Sequence, residues 1–145
     1  MAETVLRAEV AAAGLDGAVV VDSAGTGDWH VGDTMDPGAR DALARRGHDG
    51  SAHRARQFEP SWLAERDLIL AMDARNLADL RRMAAGKDAD RIRLFGEVGE
   101  IGGQDIPDPW GGGPDEFGHV LDLLGAAAPV IAARLARMLK TVPSE

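Results

Sequence analysis

Two short apolar runs that alternate with helical patterns constrain the fold of this chain more than any other feature. Residues 18–22 have the sequence Ala-Val-Val-Val-Asp after Gly17, and residues 67–71 have the sequence Asp-Leu-Ile-Leu-Ala. Continuous runs of this length suit strands that are buried on both faces, as in a parallel sheet. A weaker strand is predicted at residues 91–94, before a loop at residues 96–114 that is rich in glycine, proline and aspartate.

Helical patterns fill the intervals between the predicted strands. Residues 1–13 form an amphipathic pattern that ends at Gly14. Asp36 followed by Pro37 matches an N-cap with proline at the first helical position, and Asp73 can cap a third helix. The order of strands and helices is therefore that of crossover units.

The last predicted helix follows the glycine-rich loop and contains Pro129, which is expected to kink or restart it. Because strands and helices alternate without a hairpin signal, the predicted class is α/β, with a parallel sheet flanked by helices in three layers. The 145 residues suit one domain over 1–145. Ligands of such sheets bind beyond the carboxyl ends of the strands.

Composition excludes several functional classes. A formal net charge of -8 opposes binding to nucleic acid, and no apolar run approaches the length of a membrane span, so neither nucleic acid nor membrane is an expected partner. The chain has no cysteine, so it can form no disulfide and holds no thiol nucleophile. A cytoplasmic location is the expectation.

The segment Asp105-Ile-Pro-Asp-Pro-Trp110 carries the strongest candidate for chemistry. Prolines on both sides of Asp108 hold its carboxyl in a stiff loop, where it can protonate a leaving oxygen. The same residue types are also ordinary turn formers, so the segment alone does not establish catalysis.

Other signals are weaker. The glycine-rich residues 23–27 follow a predicted strand but match neither phosphate-binding loop pattern. The four histidines are scattered without metal-ligand spacing, so no metal site and no cofactor are expected.

Five motifs occur in an order that resembles the low-molecular-weight protein-tyrosine phosphatase family. They are Met-Ala-Glu3, Asp22-Ser-Ala-Gly-Thr26 with Trp29, His53-Arg-Ala-Arg-Gln57, Ala71-Met-Asp-Ala-Arg-Asn76 and Asp105-Ile-Pro-Asp-Pro-Trp110. The resemblance spans nearly the whole chain, and it implies hydrolysis of phosphotyrosine proteins or small aryl phosphates through a cysteinyl-phosphate intermediate.

The resemblance also implies roles for individual residues. Asp108 matches the general acid and base, and Trp29 and Trp110 match aromatic walls of the substrate cleft. The remaining matches lie around the phosphate loop or beside the cleft: Ser23 and His53 match residues that brace the loop, and Asp73 and Asn76 match positions next to the cleft.

In the family, a first strand and a C-x5-R phosphate loop precede the helix that starts Met-Ala-Glu. This sequence starts at that Met1, so the resemblance implies that the central first strand, the nucleophilic cysteine and the phosphate-binding arginine are missing. The chain as given is therefore expected to be inactive. An internal methionine mistaken for the initiator, or a real loss of the segment, could explain the start.

Two alternatives remain open at this point. The chain could be a non-catalytic remnant that binds phosphoryl groups or a partner. A relative of arsenate reductases is the less favoured alternative, because those enzymes resolve their intermediate with further cysteines and this chain has none.

Overall fold

A computed structural model describes residues 1–25, 31–84, 86–109 and 111–141. Six α-helices, two β-strands and one 3-10 helix are assigned over these residues. In chain order they are α1 (Ala2–Ala12), α2 (Pro37–Ala44), α3 (Trp62–Glu65), β1 (Ile69–Ala71), α4 (Ala74–Met83), the 3-10 helix Gly86–Arg91, β2 (Ile92–Leu94), α5 (Phe95–Val98) and α6 (Pro114–Thr141).

The sheet consists of β1 and β2, which pair in parallel with Ile69 opposite Ile92 and Ala71 opposite Leu94. A parallel pair needs a crossover connection, and α4 with the 3-10 helix provides it. Both strands lie within the ranges predicted from sequence. The helix-flanked parallel sheet confirms the predicted α/β class.

Side chains of β1 alternate between two apolar clusters on opposite faces of the sheet, as the period of two in a strand requires. Leu70 packs against the larger cluster, which is formed by α1, α2, α5 and α6. Ile69 and Ala71 belong to the smaller cluster, with Leu63 of α3 and Leu80 of α4. Helices therefore cover both faces of the sheet.

The predicted strand at residues 18–22 is wrong. This segment is assigned to no strand, and Val20 is 94% exposed, whereas Val19 and Val21 are only partly buried against the larger cluster. A strand exists only where a neighbouring strand completes its hydrogen-bond ladder, and none within the described ranges pairs with this segment. The third strand that the sequence predicts is therefore not formed within the described ranges.

The predicted helix caps are confirmed. The Asp36 carboxylate accepts hydrogen bonds from the backbone amides of Gly38 at 2.9 Å and Ala39 at 3.2 Å, with Pro37 at the first position of α2. The sequence was sufficient to predict these helix starts, because a capping side chain contacts backbone amides only two or three positions ahead. Beyond α1, Gly14 adopts a φ of 75°, the left-handed conformation that often ends a helix.

The long helix α6 contributes more buried residues to the larger cluster than any other assigned element. Its residues Val120, Leu124 and Ile131 are each at most 3% exposed, and it packs against α1, α2 and α5. By length and hydropathy alone α6 could cross a membrane, a test that core helices of soluble proteins also pass. The helix runs through Pro129 without a restart.

The predicted loop at residues 96–114 begins one short helix later than expected. Phe95–Val98 forms α5, because Phe95 and Val98 are buried at 1% and 2% exposure and anchor this turn in the larger cluster. The chain then folds back, and the Gly96 carbonyl accepts a hydrogen bond from the Ile101 amide at 3.0 Å. A Cβ atom on Gly96 would lie 2.1 Å from the backbone oxygen of Gln104.

We predict that Gly96→Ala lowers the free energy of unfolding by about 1 to 3 kcal/mol, because backbone must move to admit the methyl group. Gly125→Ala is the matched control: Gly125 lies within α6, and a Cβ there meets nothing within 4 Å. The control should raise stability by about 0.5 to 1 kcal/mol through helix propensity. Urea unfolding of both variants measures the difference, and equal stabilities would contradict the close approach.

We also predict a marginal thermal stability. Two strands of three residues each form few ladder hydrogen bonds, and the segment around the exposed Val20 adds no third strand to them. The unfolding midpoint by circular dichroism should lie below about 60 °C, near the upper end of the mesophile range. Cooperative unfolding of a monomer well above that temperature would contradict the prediction and show that a two-stranded sheet is enough for a stable fold.

Candidate functional site

The loop that contains Asp108 is anchored at the carboxyl end of β1. The Ile106 amide donates a hydrogen bond to the Met72 carbonyl at 2.8 Å, and the Ile106 side chain is 5% exposed. Asp105 adds a second anchor, since its Oδ1 atom accepts from the Ala74 amide at 3.1 Å at the start of α4. The loop therefore crosses the end of the sheet where α/β proteins bind ligands.

Asp108 lines an open cleft of about 600 Å³ between this loop and the beginning of α6. A turn follows it, in which the Gly112 amide donates to the Pro109 carbonyl at 2.8 Å and Gly111 has a φ of 79°. A side chain at position 111 would be strained in that conformation. The other lining residues are Pro107, Asp115, Glu116 and His119. A carboxyl held on such a turn can exchange a proton with a molecule in the cleft.

A second group of candidate residues meets at Glu3 in the first turn of α1. The Ser23 hydroxyl donates to Glu3 Oε1 at 3.2 Å, and His53 Nδ1 lies 3.4 Å from Glu3 Oε2. The Glu3 side chain is 12% exposed and that of His53 is 20% exposed. A carboxylate so far removed from water needs polar partners, and here it joins residues 20 and 50 positions away.

Backbone contacts bring the Ser23 and His53 segments together. The Gly25 amide donates to the Arg56 carbonyl at 2.8 Å, and the Phe58 amide donates to the Gly25 carbonyl at 2.7 Å. These bonds form a short bridge of parallel type between the two segments. Ser23 and His53 thus approach Glu3 from adjacent segments.

Asp22 is held by two arginines that stack on one tryptophan. Arg66 donates to both Asp22 oxygens, from Nη2 at 2.7 Å and from Nε at 3.3 Å, and Arg56 Nη1 lies 3.4 Å from the same carboxylate. The guanidinium carbons of Arg56 and Arg66 lie 4.6 Å and 4.5 Å from the Trp62 ring centroid. The hydrogen bond to Asp22 raises the pKa of Arg66. This arrangement positions Ser23, the next residue.

Asp73 and Asn76 form a third group at the beginning of α4. Asp73 Oδ1 accepts a hydrogen bond from the Asn76 amide at 2.7 Å, which makes Asp73 the N-cap of the helix. Met72 and Ala74, the two neighbours of Asp73, are the residues to which the Asp108 loop is anchored. The cap therefore supports the strand-to-helix turn that carries this loop.

Seven site residues are predicted from sequence, and five of them lie in the described part of the chain. Ser23 and His53 come together at Glu3, Asp73 and Asn76 at α4, and Asp108 lines the open cleft. Trp29 and Trp110 lie outside the described residues. The roles of all seven stay predictions.

Several residues that position the site were not predicted. The sequence patterns assign no role to Glu3, to the loop anchors Asp105 and Ile106, or to Arg66, the partner of Asp22. Only Glu3 carries a local signal, an acidic side chain four positions before Arg7 in the first turn of α1. Within the described ranges, no three His, Cys, Asp or Glu residues are grouped as metal ligands.

Comparison with known proteins identifies the family. The sequence profile described as "Low molecular weight phosphotyrosine protein phosphatase" matches residues 1–141. A low molecular weight protein-tyrosine-phosphatase of Streptomyces coelicolor is 44% identical over 137 residues, which are 92% of this chain and 83% of that protein.

Solved structures agree with the sequence match. A protein tyrosine phosphatase from Entamoeba histolytica superposes with a TM-score of 0.88 and 27% identity over 95% of this chain and 88% of that chain. YfkJ from Bacillus subtilis superposes with a TM-score of 0.85 and 33% identity over 94% and 86% of the two chains. This chain belongs to the low-molecular-weight phosphotyrosine protein phosphatase family.

Proposed function

We propose that this chain carries the proton-transfer and substrate-facing part of a phosphatase that acts on phosphotyrosine proteins or small aryl phosphates. The observation that carries the proposal is the double anchoring of the Asp108 loop, by Ile106 to Met72 and by Asp105 to Ala74, at the carboxyl end of β1. Such anchoring favours a fixed position for the carboxyl, which general acid catalysis requires.

In the proposed reaction a thiolate sulfur attacks phosphorus, and the bond from phosphorus to the tyrosyl oxygen breaks. Asp108 gives its proton to that oxygen, so the product leaves as a neutral phenol. Water then attacks the phosphocysteine, Asp108 takes a proton from it, and the thiolate is released with inorganic phosphate. The two half-reactions return Asp108 to its protonated form.

The thiolate is the component that these 145 residues do not supply, because they include no cysteine. We therefore propose that the chain does not turn over substrate by itself. A role as a non-catalytic binding protein is the second candidate, and the same absence of a thiol favours it.

We propose that Ser23, His53 and Glu3 together brace a phosphate-binding loop. Their mutual hydrogen bonds at 3.2 and 3.4 Å support a rigid platform at the beginning of α1. Trp29 and Trp110 are proposed to contact the aromatic ring of the substrate, and Asp73 and Asn76 to border the cleft. A single domain over residues 1–145 and a cytoplasmic location complete the proposal.

The chain as it is provides one test of the proposed function. The 145-residue protein should hydrolyse p-nitrophenyl phosphate no faster than buffer, because a proton donor cannot replace both a nucleophile and an anion cradle. Release of p-nitrophenol at 405 nm measures the rate. Turnover that disappears in Asp108→Asn would contradict the prediction and point to water as the nucleophile.

A second test concerns an extended chain in which the family's strand and C-x5-R loop precede Met1. This protein should hydrolyse the same ester, and Asp108→Asn in it should lower kcat by about 100-fold or more, since the proton matters in the transition state. Asp115→Asn is the matched control, because Asp115 lines the same cleft and has no proposed role in the reaction. An equal fall in both variants would remove Asp108 from the mechanism.

A further inference from the structure

The indole of Trp62 is buried beneath charged side chains. Trp62 is 8% exposed, yet neither apolar cluster of the described residues includes it. The guanidinium carbons of Arg56 and Arg66 lie 4.6 Å and 4.5 Å from the centroid of its ring. The ring of Phe58 meets the indole edge-on, with 5.6 Å between centroids and 81° between planes. We call Trp62, Arg56 and Arg66 the Trp62 platform.

The two arginines of the Trp62 platform converge on one carboxylate. Arg66 contacts Asp22 through Nη2 at 2.7 Å and Nε at 3.3 Å, and Arg56 Nη1 lies 3.4 Å from the same carboxylate. Arg66 has a second acidic partner, Glu65 at 3.4 Å, but the Glu65 side chain is 58% exposed and solvent screens that pair. Two cations at one carboxylate repel each other, and the π face of Trp62 attracts both. The indole thus offsets part of the repulsion.

The position of Asp22 is passed on to Ser23. Arg7 Nη2 donates to the Val21 carbonyl at 2.6 Å, so α1 holds the residue before Asp22 while the Trp62 platform holds Asp22 itself. The Ser23 hydroxyl lies 3.2 Å from Glu3 Oε1. A single rotatable bond separates the serine backbone from its hydroxyl oxygen, so this hydrogen bond depends on where the backbone is held.

A second connection joins the Trp62 platform to the same segment. The Gly25 amide donates to the Arg56 carbonyl at 2.8 Å, and the Phe58 amide donates to the Gly25 carbonyl at 2.7 Å. Arg56 and Phe58 therefore contact Trp62 with their side chains and Gly25 with their backbones. Loss of the indole removes a surface against which both side chains pack. The Gly25 amide is consequently a reporter of the platform.

We propose that Trp62 is a positioning residue that fixes the Ser23 hydroxyl against Glu3. It acts through the two arginines of the platform and the Asp22 carboxylate. This role rests on the proposed function, in which Ser23 and Glu3 help to brace a phosphate-binding loop. Trp62 then acts on the phosphoryl group through the geometry of that loop, whereas Asp108 acts on the leaving oxygen.

Hydrogen exchange in the 145-residue chain tests the Trp62 platform without any catalysis. Trp62→Leu keeps an apolar side chain and removes the π face, so the Gly25 amide should exchange about fivefold faster relative to the Ile106 amide. Ile106 is the internal reference, because its amide bonds to the Met72 carbonyl beyond β1 and the residue is 5% exposed. Trp62→Phe retains a π face and should change this exchange ratio less than about twofold. Equal acceleration of both amides, or an unchanged Gly25 rate, would overturn the proposal.

A milder variant keeps the indole and removes one cation. Arg66→Gln should raise the same exchange ratio about threefold, because it breaks the two-point contact with Asp22. Arg82→Gln is the matched control: Arg82 pairs with Asp79 on α4, and its side chain is 75% exposed. The control removes the same charge and should change the ratio less than about 1.5-fold. Similar effects of the two variants would indicate general electrostatics and contradict the platform.

Kinetics of the extended chain separate the platform from the proton donor. Trp62→Leu in that protein should lower kcat for p-nitrophenyl phosphate about tenfold, since a loosened phosphate loop binds the transition state less well. The ratio of the rates for p-nitrophenyl phosphate and phenyl phosphate should change less than about twofold, because Asp108 still protonates the leaving oxygen. A ratio that shifts as it does in Asp108→Asn would overturn the role of Trp62 at Ser23. An extended chain without activity would contradict the proposed function, whereas the exchange ratios would still decide the role of the platform.

Discussion

The structure around the beginning of α1 depends on the contacts of the Glu3 carboxylate with Ser23 and His53. This carboxylate is largely removed from water, and the loss of hydration has to be offset by polar partners. Ser23 and His53 supply them, and Arg7 adds a cation at 3.6 Å. One side chain in the first turn of α1 therefore joins two segments that are distant in sequence.

The same junction has consequences for two surfaces. By holding His53 beside α1, Glu3 places the following residues, Arg54 and Arg56, in the wall of a cleft that α1 also lines. It also places Ser23 beside the first turn of α1, where the proposed phosphate loop is braced. A change that removes the Glu3 carboxylate would leave the partly buried Ser23 and His53 without this partner, and both places would be affected together.

The Asp108 loop depends on a separate set of contacts. Its position follows from backbone hydrogen bonding at the end of β1 and from the Asp105 contact at the beginning of α4. Gln104, just before this loop, packs so closely against Gly96 that no side chain fits between the two backbones. This contact fixes the start of the loop. The Asp108 loop and the junction at Glu3 are thus held by different parts of the fold.

The amino-acid sequence by itself determined the features that depend on neighbouring residues. The caps at Asp36 and Asp73 and the strands around residues 69–71 and 92–94 were predictable because their signals lie within a few positions of one another. The absence of thiol chemistry from these 145 residues also follows from composition alone.

Tertiary structure decided the features that depend on residues distant in sequence. Residues 18–22 have the composition of a strand yet lack a ladder, and α5 forms only because Phe95 and Val98 find a core to fill. The convergence of Ser23 and His53 at Glu3 was likewise beyond sequence patterns, because a contact between residues 50 positions apart leaves no periodic trace in the sequence.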